Sequence, residues 1–453
     1  MFYRSIIPEL EKWFLNPNRK PLVIRGARQV GKTTLVNFFA ERFDQYIYLN
    51  LELAEDKQPF EQFTNIETLI QTLFFLKNKV LTQKSKTLLF IDEIQELPEA
   101  INILRYFYEK EQDIPVIAAG SMLETLLDKS VSFPVGRVEY KVLRPVSFPE
   151  FLIATGEKAA LEQLQKIPIA SFAHTKLLSL FHTYALIGGM PEVVNHYAQH
   201  KDLTALSSIY DSLITSYTDD AEKYAANTNQ LQMIRHAIGT SFAQAGKRIK
   251  YQGFGNSNYG SREMGEVLRT LEKALLIYLV YPHTGFTLPL LPDLKKSPRM
   301  QVLDTGLLNY FVGIQKEIIG SADLNSVYQG TMIEHLVGQE LLAAQYNALS
   351  SIHFWVREKK TSTAELDYLY VFDEKLIPLE VKSGVEGKLK SLHLFMEEAP
   401  HNLAVRVYAG ELNIQFITTT KRRNYYLLNL PYYLVSQIER YVEWFQKEVK
   451  NKE

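Results

Sequence analysis

Leu22-Val23-Ile24-Arg25-Gly26-Ala27-Arg28-Gln29-Val30-Gly31-Lys32-Thr33-Thr34 joins a short apolar run to a segment, Thr34 to Phe43, with helical periodicity. Within it two glycines, a lysine and a hydroxyl stand at the offsets of a phosphate-binding loop. A strand before the loop and a helix after it let backbone amides and the helix N-terminus converge on an anionic phosphate. The expected contacts are Gly26, Ala27, Arg28, Gln29, Val30, Gly31, Lys32, Thr33 and Thr34, with Lys32 on the outer phosphates and the Thr33 hydroxyl on magnesium.

The complementary half of such a site is Thr87-Leu88-Leu89-Phe90-Ile91-Asp92-Glu93, an apolar strand ending in paired acids. A buried strand delivers Asp92 to the C-terminal edge of a sheet, where it holds magnesium, and Glu93 can polarise an attacking water as general base. The interval between loop and acids has room for a further strand, Tyr46 to Leu51, and a helix. That spacing suggests the ATPase branch in which a strand lies between the loop strand and the acidic strand, and disfavours GTP-binding proteins. Ser121, at the end of the run Val116 to Ala119, is placed to sense the terminal phosphate. Arg137, after Gly136 in a loop, offers a guanidinium for charge developing on the transferred phosphoryl group.

Around these motifs, runs at Leu22–Arg25, Tyr46–Leu51, Thr87–Ile91, Val116–Ala119 and Glu139–Leu143 alternate with helical patterns, which predicts an α/β fold with a parallel sheet covered on both faces. At 453 residues the chain calls for several domains, and 46% hydrophobic with 22% charged residues excludes a disordered or fibrous chain. The absence of cysteine excludes disulfides, thiolate metal sites and a cysteine nucleophile. The first residues do not read as a secretory signal and the densest apolar run, Ala274 to Tyr281, is far short of a membrane span, so a cytoplasmic protein without membrane contact is expected. The ten histidines show no metal-ligand spacing.

The net charge of −1 is unevenly spread: from Ala225 to Arg299 there are ten Lys/Arg against four Asp/Glu. A helix around Leu231 to Ala245, a loop from Gly253 to Ser261, a helix capped by Ser261 and a strand Leu276–Tyr281 leading to a tight His283-Thr284-Gly285-Phe286 turn give the order of a winged helix. Arg248, Lys250, Arg262 and Arg269 around it can meet DNA phosphates, or the unit can dock a protein partner. Further on, Ala364 to Val371 and Leu376 to Lys382 flank a turn. If Val371 pairs with Leu376, then Asp367 falls opposite Glu380 and Glu365 opposite Lys382, all on one face. Facing carboxylates repel, which a divalent cation relieves; a solvated face closed by a Glu365 to Lys382 ion pair accounts for the same letters.

The loop from Arg25 to Thr33, Phe90-Ile91-Asp92-Glu93-Ile94-Gln95, Gly120-Ser121, Gly136-Arg137 and Arg144-Pro145-Val146-Ser147-Phe148-Pro149-Glu150-Phe151 resemble the AAA-type ATPases of bacteria and archaea that carry a C-terminal domain of unknown function. Gly188-Gly189-Met190-Pro191-Glu192, the stretch Tyr217 to Tyr224, Leu303-Asp304-Thr305-Gly306-Leu307 and Glu365-Leu366-Asp367 continue that resemblance. It implies ATP binding, hydrolysis with Mg2+, Ser121 as sensor and Arg137 as a finger acting on its own or a neighbouring subunit's nucleotide. Asp367 with Glu380-Val381-Lys382 also resembles the PD-(D/E)xK nuclease-like core, with Glu334 matching its helical acid. There the resemblance implies magnesium on Glu334, Asp367 and Glu380, and Lys382 orienting water.

The resulting expectation is a P-loop NTPase sheet at 1–155, a helical lid at 156–227, a winged-helix unit at 228–299, a connector at 300–327 and a restriction-endonuclease-like α/β domain at 328–453. The output is either DNA processing or a regulatory switch that binds a protein partner and cleaves nothing.

Overall fold

The computed structural model describes residues 2–121, 136–313, 330–359, 362–384 and 388–452. Part of the expected connector at 300–327 therefore lies outside the described residues. The chain divides into two compact units, one of Met1–Arg144, Thr270–Leu276 and Tyr346–Leu349, the other of Pro145–Arg269, Ile277–Gln345 and Ser350–Glu453.

The first unit is built on β1 (Leu22–Arg25), β2 (Gln45–Asn50), β3 (Thr87–Asp92), β4 (Val116–Gly120) and β5 (Glu139–Val142), in the order β2-β3-β4-β1-β5. Every pairing is parallel. All six residues of β3 are buried, as a strand covered on both faces requires. One core joins Val23, Leu89, Ile91 and Ala118 from the strands to Ile101, Leu104 and Phe107 of the helix Pro98–Lys110. A strand does lie between the loop strand and the acidic strand, but it is β4, the one that follows the acids in sequence; Tyr46–Leu51 forms the edge strand β2 instead. The gap in sequence made room for β2, whereas spatial insertion is set by the crossover from β3 to β4 and back beside β1.

In the second unit, β6 (Ile277–Val280) pairs antiparallel with β8 (Arg299–Val302). The expected tight turn after β6 is not formed. Between them the chain makes β7 (Pro282–His283), where His283 aligns with Trp355 in another sheet. Seven strands make up that sheet, in the order β13-β14-β12-β11-β10-β9-β7, with β9 (His353–Lys359), β10 (Ser362–Phe372), β11 (Lys375–Val381), β12 (Leu403–Tyr408), β13 (Asn413–Thr418) and β14 (Asn424–Pro431). A helix, Gly330–Ala343, precedes an antiparallel meander β9-β10-β11; a second helix, Lys390–Met396, then crosses to the parallel strand β12. Val371 aligns with Leu376 as expected, and the turn narrows to Asp373 and Glu374, both in the left-handed region with φ 47° and 60°.

The helix His174–Ile187 ends at Gly188, whose φ is +72°, and Pro191 opens the next. A side chain at Gly188 would stand 2.3 Å from Asp304 Oδ1, so only glycine lets the two segments meet. Asp304 is fully buried; it accepts hydrogen bonds from Gly189 N at 2.5 Å and from Leu307 N at 3.1 Å, capping the helix Thr305–Phe311. Close by, Gln339 Oε1 accepts from Thr305 N and Oγ1, Gln339 Nε2 donates to the Tyr184 hydroxyl, and that hydroxyl lies 2.6 Å from Glu340 Oε1. The Glu340 carboxylate also accepts from Phe148 N at 3.2 Å. Among the described residues no helix is long and apolar enough to cross a membrane.

Burial pushes the Glu340 carboxyl up to about 7 from its usual 4.5, against the Tyr184 and Phe148 hydrogen bonds. A folded value above the unfolded one means a stability contribution that is complete below about pH 4.5 and lost as the pH rises through about 7. Relative to Glu340→Gln, the wild type is therefore expected to lose melting temperature steadily between pH 5 and pH 8. Paired thermal melts across that range test it; a difference that stays constant with pH removes the buried carboxyl as the cause.

Candidate nucleotide site and carboxylate cluster

Gly31, with φ +94°, caps the helix Lys32–Ala40, and Gln29 is also left-handed at φ 63°. A Cβ on Gly26 would lie 2.5 Å from Leu143 O and 2.9 Å from Val30 Cγ2, so the loop can follow this path only with glycine there. Lys32 is buried, and its ammonium donates to Gly26 O and Ala27 O, each at 3.0 Å. Burial pulls its pKa down, while Glu93 and Asp92 pull it back up and Arg28 adds to the lowering. A lysine in that balance gains from a nearby phosphate, because the anion restores what desolvation removes.

Thr33 Oγ1 donates to Asp92 Oδ2 at 2.6 Å, so the two side chains predicted to share a metal meet across the site. Asp92 is 3% exposed, and its carboxyl is raised by burial and lowered again by the Thr33 bond. Glu93 follows with φ 49°, a left-handed conformation unusual for a glutamate; its N–H donates to Asp92 Oδ1 at 3.1 Å and its carboxylate accepts from Gln95 Nε2 at 2.5 Å. Thr34 is exposed in the first helical turn. Arg25 aligns with Gly120, which brings Ser121 beside the start of the loop.

Two further residues belong to this site. Tyr48 on β2 points its hydroxyl at Asp92 Oδ2, 3.4 Å away, and Gln95 orients Glu93. Tyr48 alternates with Ile47 and Leu49 toward the face that Asp92 shares, a pattern visible in the sequence, whereas a glutamine two residues past the acids gives no such signal.

Arg137 is not at this site. Glu139 aligns with Leu22, the first residue of β1, so Arg137 stands beyond the N-terminal edge of the sheet while the loop leaves from the C-terminal edge. At ~3.3 Å per residue the two are separated by roughly 15–20 Å. There Arg137 Nε pairs with Glu109 at 2.9 Å on the helix Pro98–Lys110. An arrangement in which it serves the nucleotide of its own loop is ruled out by that placement.

In the second unit Glu334, Asp367, Glu380 and Lys382 form one electrostatic cluster. Burial and then Asp367 raise Glu334 to about 8 and Glu380 to about 7, and burial raises Asp367 as well. Asp367 Oδ2 accepts from Val381 N at 2.6 Å; Lys382 Nζ donates to Glu380 Oε1 at 2.6 Å, while Glu380 Oε2 is buried without a hydrogen-bond partner. Among the described residues no group of three or more His, Asp or Glu side chains is spaced to hold a metal ion.

The ion pair expected between Glu365 and Lys382 is not made. Arg299 of β8, 4% exposed, takes Glu365 instead and donates to Asp367 O at 2.9 Å, leaving Lys382 to Glu380. A buried guanidinium reached from another strand outcompetes a lysine at the end of β11, because its fork holds two acceptors at once. Arg299 was legible only as one more charge in a basic stretch. Of the basic residues assigned to a nucleic-acid surface, Arg248 pairs with Glu358 at 2.5 Å and Arg262 with Glu266 at 3.4 Å.

Residues 18–152 match the family model described as an AAA domain, residues 178–318 the domain of unknown function DUF8612, and residues 329–433 the domain of unknown function DUF4143. The amino-terminal part of the chain is thus similar to an AAA domain. No curated protein matches the sequence. Among solved structures it is similar to a Walker-type ATPase of Pyrococcus abyssi, at 14% identity and a TM-score of 0.44, covering 69% of this chain and 96% of that one. PCH-2 of C. elegans is 14% identical with a TM-score of 0.24 over 61% of this chain and 70% of its own. Hsp104 of S. cerevisiae, solved with ADP, is 13% identical with a TM-score of 0.26 over 76% of this chain and 44% of its own.

Gly26→Ala should cost nucleotide binding at least about tenfold in Kd, the equivalent of ~1.4 kcal/mol, since its methyl drives the loop off Leu143. Titration with a fluorescent ATP analogue measures this; an unchanged Kd would mean that the loop path seen here is not the one that binds.

Proposed function

We propose that this chain binds ATP at the Gly26–Thr34 loop, hydrolyses it, and uses the nucleotide state to control its carboxyl-terminal module. The contact that carries the reading is Thr33 Oγ1 to Asp92 Oδ2, a hydroxyl and a buried carboxylate brought together from distant parts of the sequence. Both are hard oxygen donors of the kind magnesium takes, so the residues fit that ion. Thr33 and Asp92 would hold it, and when bound it supplies charge neutralisation between the outer phosphates.

The remaining work falls to the chain's own groups. Backbone amides of the loop and the ammonium of Lys32 bind and orient the phosphates. Glu93, steered by Gln95, accepts the proton of a water directed at the terminal phosphorus. Ser121 hydrogen-bonds the terminal phosphate from the adjoining strand. Arg137, remote from its own loop, serves a neighbouring subunit's nucleotide, which makes the active assembly an oligomer.

For the output, the clustered Glu334, Asp367, Glu380 and Lys382 support a nuclease-like module acting on DNA, approached through the basic segment between Ala225 and Arg299. A second reading, a switch that binds a protein partner and cuts nothing, is favoured by the hydrogen bonds that occupy Asp367 Oδ2 and Glu380 Oε1.

ATP turnover with and without DNA, followed by a search for strand breaks, separates these. Lys32→Ala should abolish nucleotide binding, and Glu93→Gln should keep binding while turnover falls by roughly 10²–10⁴. Turnover by Glu93→Gln equal to wild type would overturn the hydrolytic assignment. Magnesium-dependent nicking that persists in Asp367→Ala would remove the nuclease assignment, and absence of nicking by wild type would leave the partner-binding switch.

A further inference from the structure

The seven-stranded sheet ends at β13, a six-residue strand reading Asn413-Ile414-Gln415-Phe416-Ile417-Thr418. No described strand pairs with its outer side. Exposed edges are ordinarily blunted by lysine, proline or a bulge, since their free N–H and C=O groups template pairing with another chain. None of these protections is present: the six residues carry no charge and no proline, the register with β14 runs unbroken from Asn413↔Asn429 to Thr418↔Asn424, and Phe416 is 57% exposed. All charge sits at the two ends, with exposed Glu411 before the strand and exposed Lys421, Arg422 and Arg423 after it; Lys421 Nζ also pairs with Glu397 of its own chain at 2.8 Å.

Thr419 N donates to Arg423 O at 2.9 Å, making that pair hydrogen-bonded; by alternation Ile417, Gln415 and Asn413 bond inward to β14. Ile414, Phe416 and Thr418 therefore aim their N–H and C=O groups outward. An identical strand laid antiparallel about a twofold axis at Phe416 meets these three with the same three: Phe416 with Phe416, Ile414 with Thr418 and Thr418 with Ile414. In that register Glu411 of each copy falls at the Lys421–Arg422 corner of the other, twice by symmetry. The two Phe416 rings come together on the face where each already packs edge-on against Tyr426, with centroids 5.1 Å apart.

We propose that β13 is a self-association edge, joining two copies of this chain into one continuous sheet through an antiparallel β13 pair centred on Phe416. Backbone complementarity alone suits any extended peptide. The end-to-end placement of opposite charges around an uncharged centre selects a second copy in reversed direction, because that register matches acid to base at both ends.

Sedimentation equilibrium of the full chain from about 1 to 100 µM, the range expected of a small interface, should show a reversible monomer–dimer equilibrium. Phe416→Lys sets two lysines face to face at the axis and should leave only monomer over that range, with unchanged circular dichroism and melting temperature. The chain has no native cysteine, so Phe416→Cys introduces a single thiol at the axis, where paired Cα atoms about 5.5 Å apart permit a disulfide. That variant should oxidise to a reducible dimer, and Asn413→Cys, off the axis, should not. Wild type that is monomeric throughout, dimer retained by Phe416→Lys, or equal cross-linking of the two cysteine variants would each overturn the proposal.

Discussion

A threonine hydroxyl in the first turn of one helix touches a buried aspartate at the end of β3, and the proposed nucleotide site depends on that contact. It requires β1 and β3 to end at the same edge of the sheet, which parallel pairing through β4 secures. It also requires Asp92 to stay out of water, where a lone carboxylate is costly and seeks either a proton or a cation. Thr33 satisfies part of that demand, Tyr48 contributes a distant hydroxyl, and Lys32 supplies the opposing charge within the same pocket of backbone. Charge of both signs is thus buried at unfavourable cost in one place, Asp92 on one side and Lys32 on the other.

Much of this was legible because short-range rules dominate it. The loop's glycines answer to backbone geometry, visible at Gly26, where Leu143 O leaves no room for a side chain. Strands β1, β3 and β4 are apolar runs that read directly, whereas β5, Glu139-Tyr140-Lys141-Val142, carries two charges in four residues. What escaped was what depends on order in space. The inserted strand was β4 and not β2, and Arg137 landed at the far edge because a parallel strand begins where its neighbour begins. A residue's position relative to a motif in sequence says which strand it sits on, and only the strand's direction says at which end.

The same distinction separates success from failure in the second unit. The β10–β11 register followed from a turn that Asp373 and Glu374 can adopt, and it placed Asp367 and Glu380 in one cluster. The partner of Glu365 did not follow, since Arg299 arrives from β8, more than sixty residues away in sequence. Nor did the buried assembly of Asp304, Gln339, Tyr184 and Glu340 announce itself, although Gly188-Gly189 and Asp304-Thr305-Gly306 stood out as motifs. Their spacing is explained by contact: glycines at 188 and 306 let two chain segments approach to within a side chain's radius, and Asp304 ties them through backbone N–H groups.

These buried carboxylates divide into two kinds. Asp304 is saturated with backbone donors and Glu340 is met by a hydroxyl and an N–H, so each is accounted for by the structure it holds together. Glu380 differs: one oxygen takes Lys382 and the other is buried with nothing to accept from. Burying an acceptor without a donor is among the more expensive features a folded chain can retain. Packing does not require it, because a leucine of similar volume at the end of β11 would fill the space at no such cost. Lys382, set against that same carboxylate, offsets only part of it. An acidic group kept under those terms, beside Glu334 and Asp367, each raised first by burial, is not explained by the stability of the sheet that presents it.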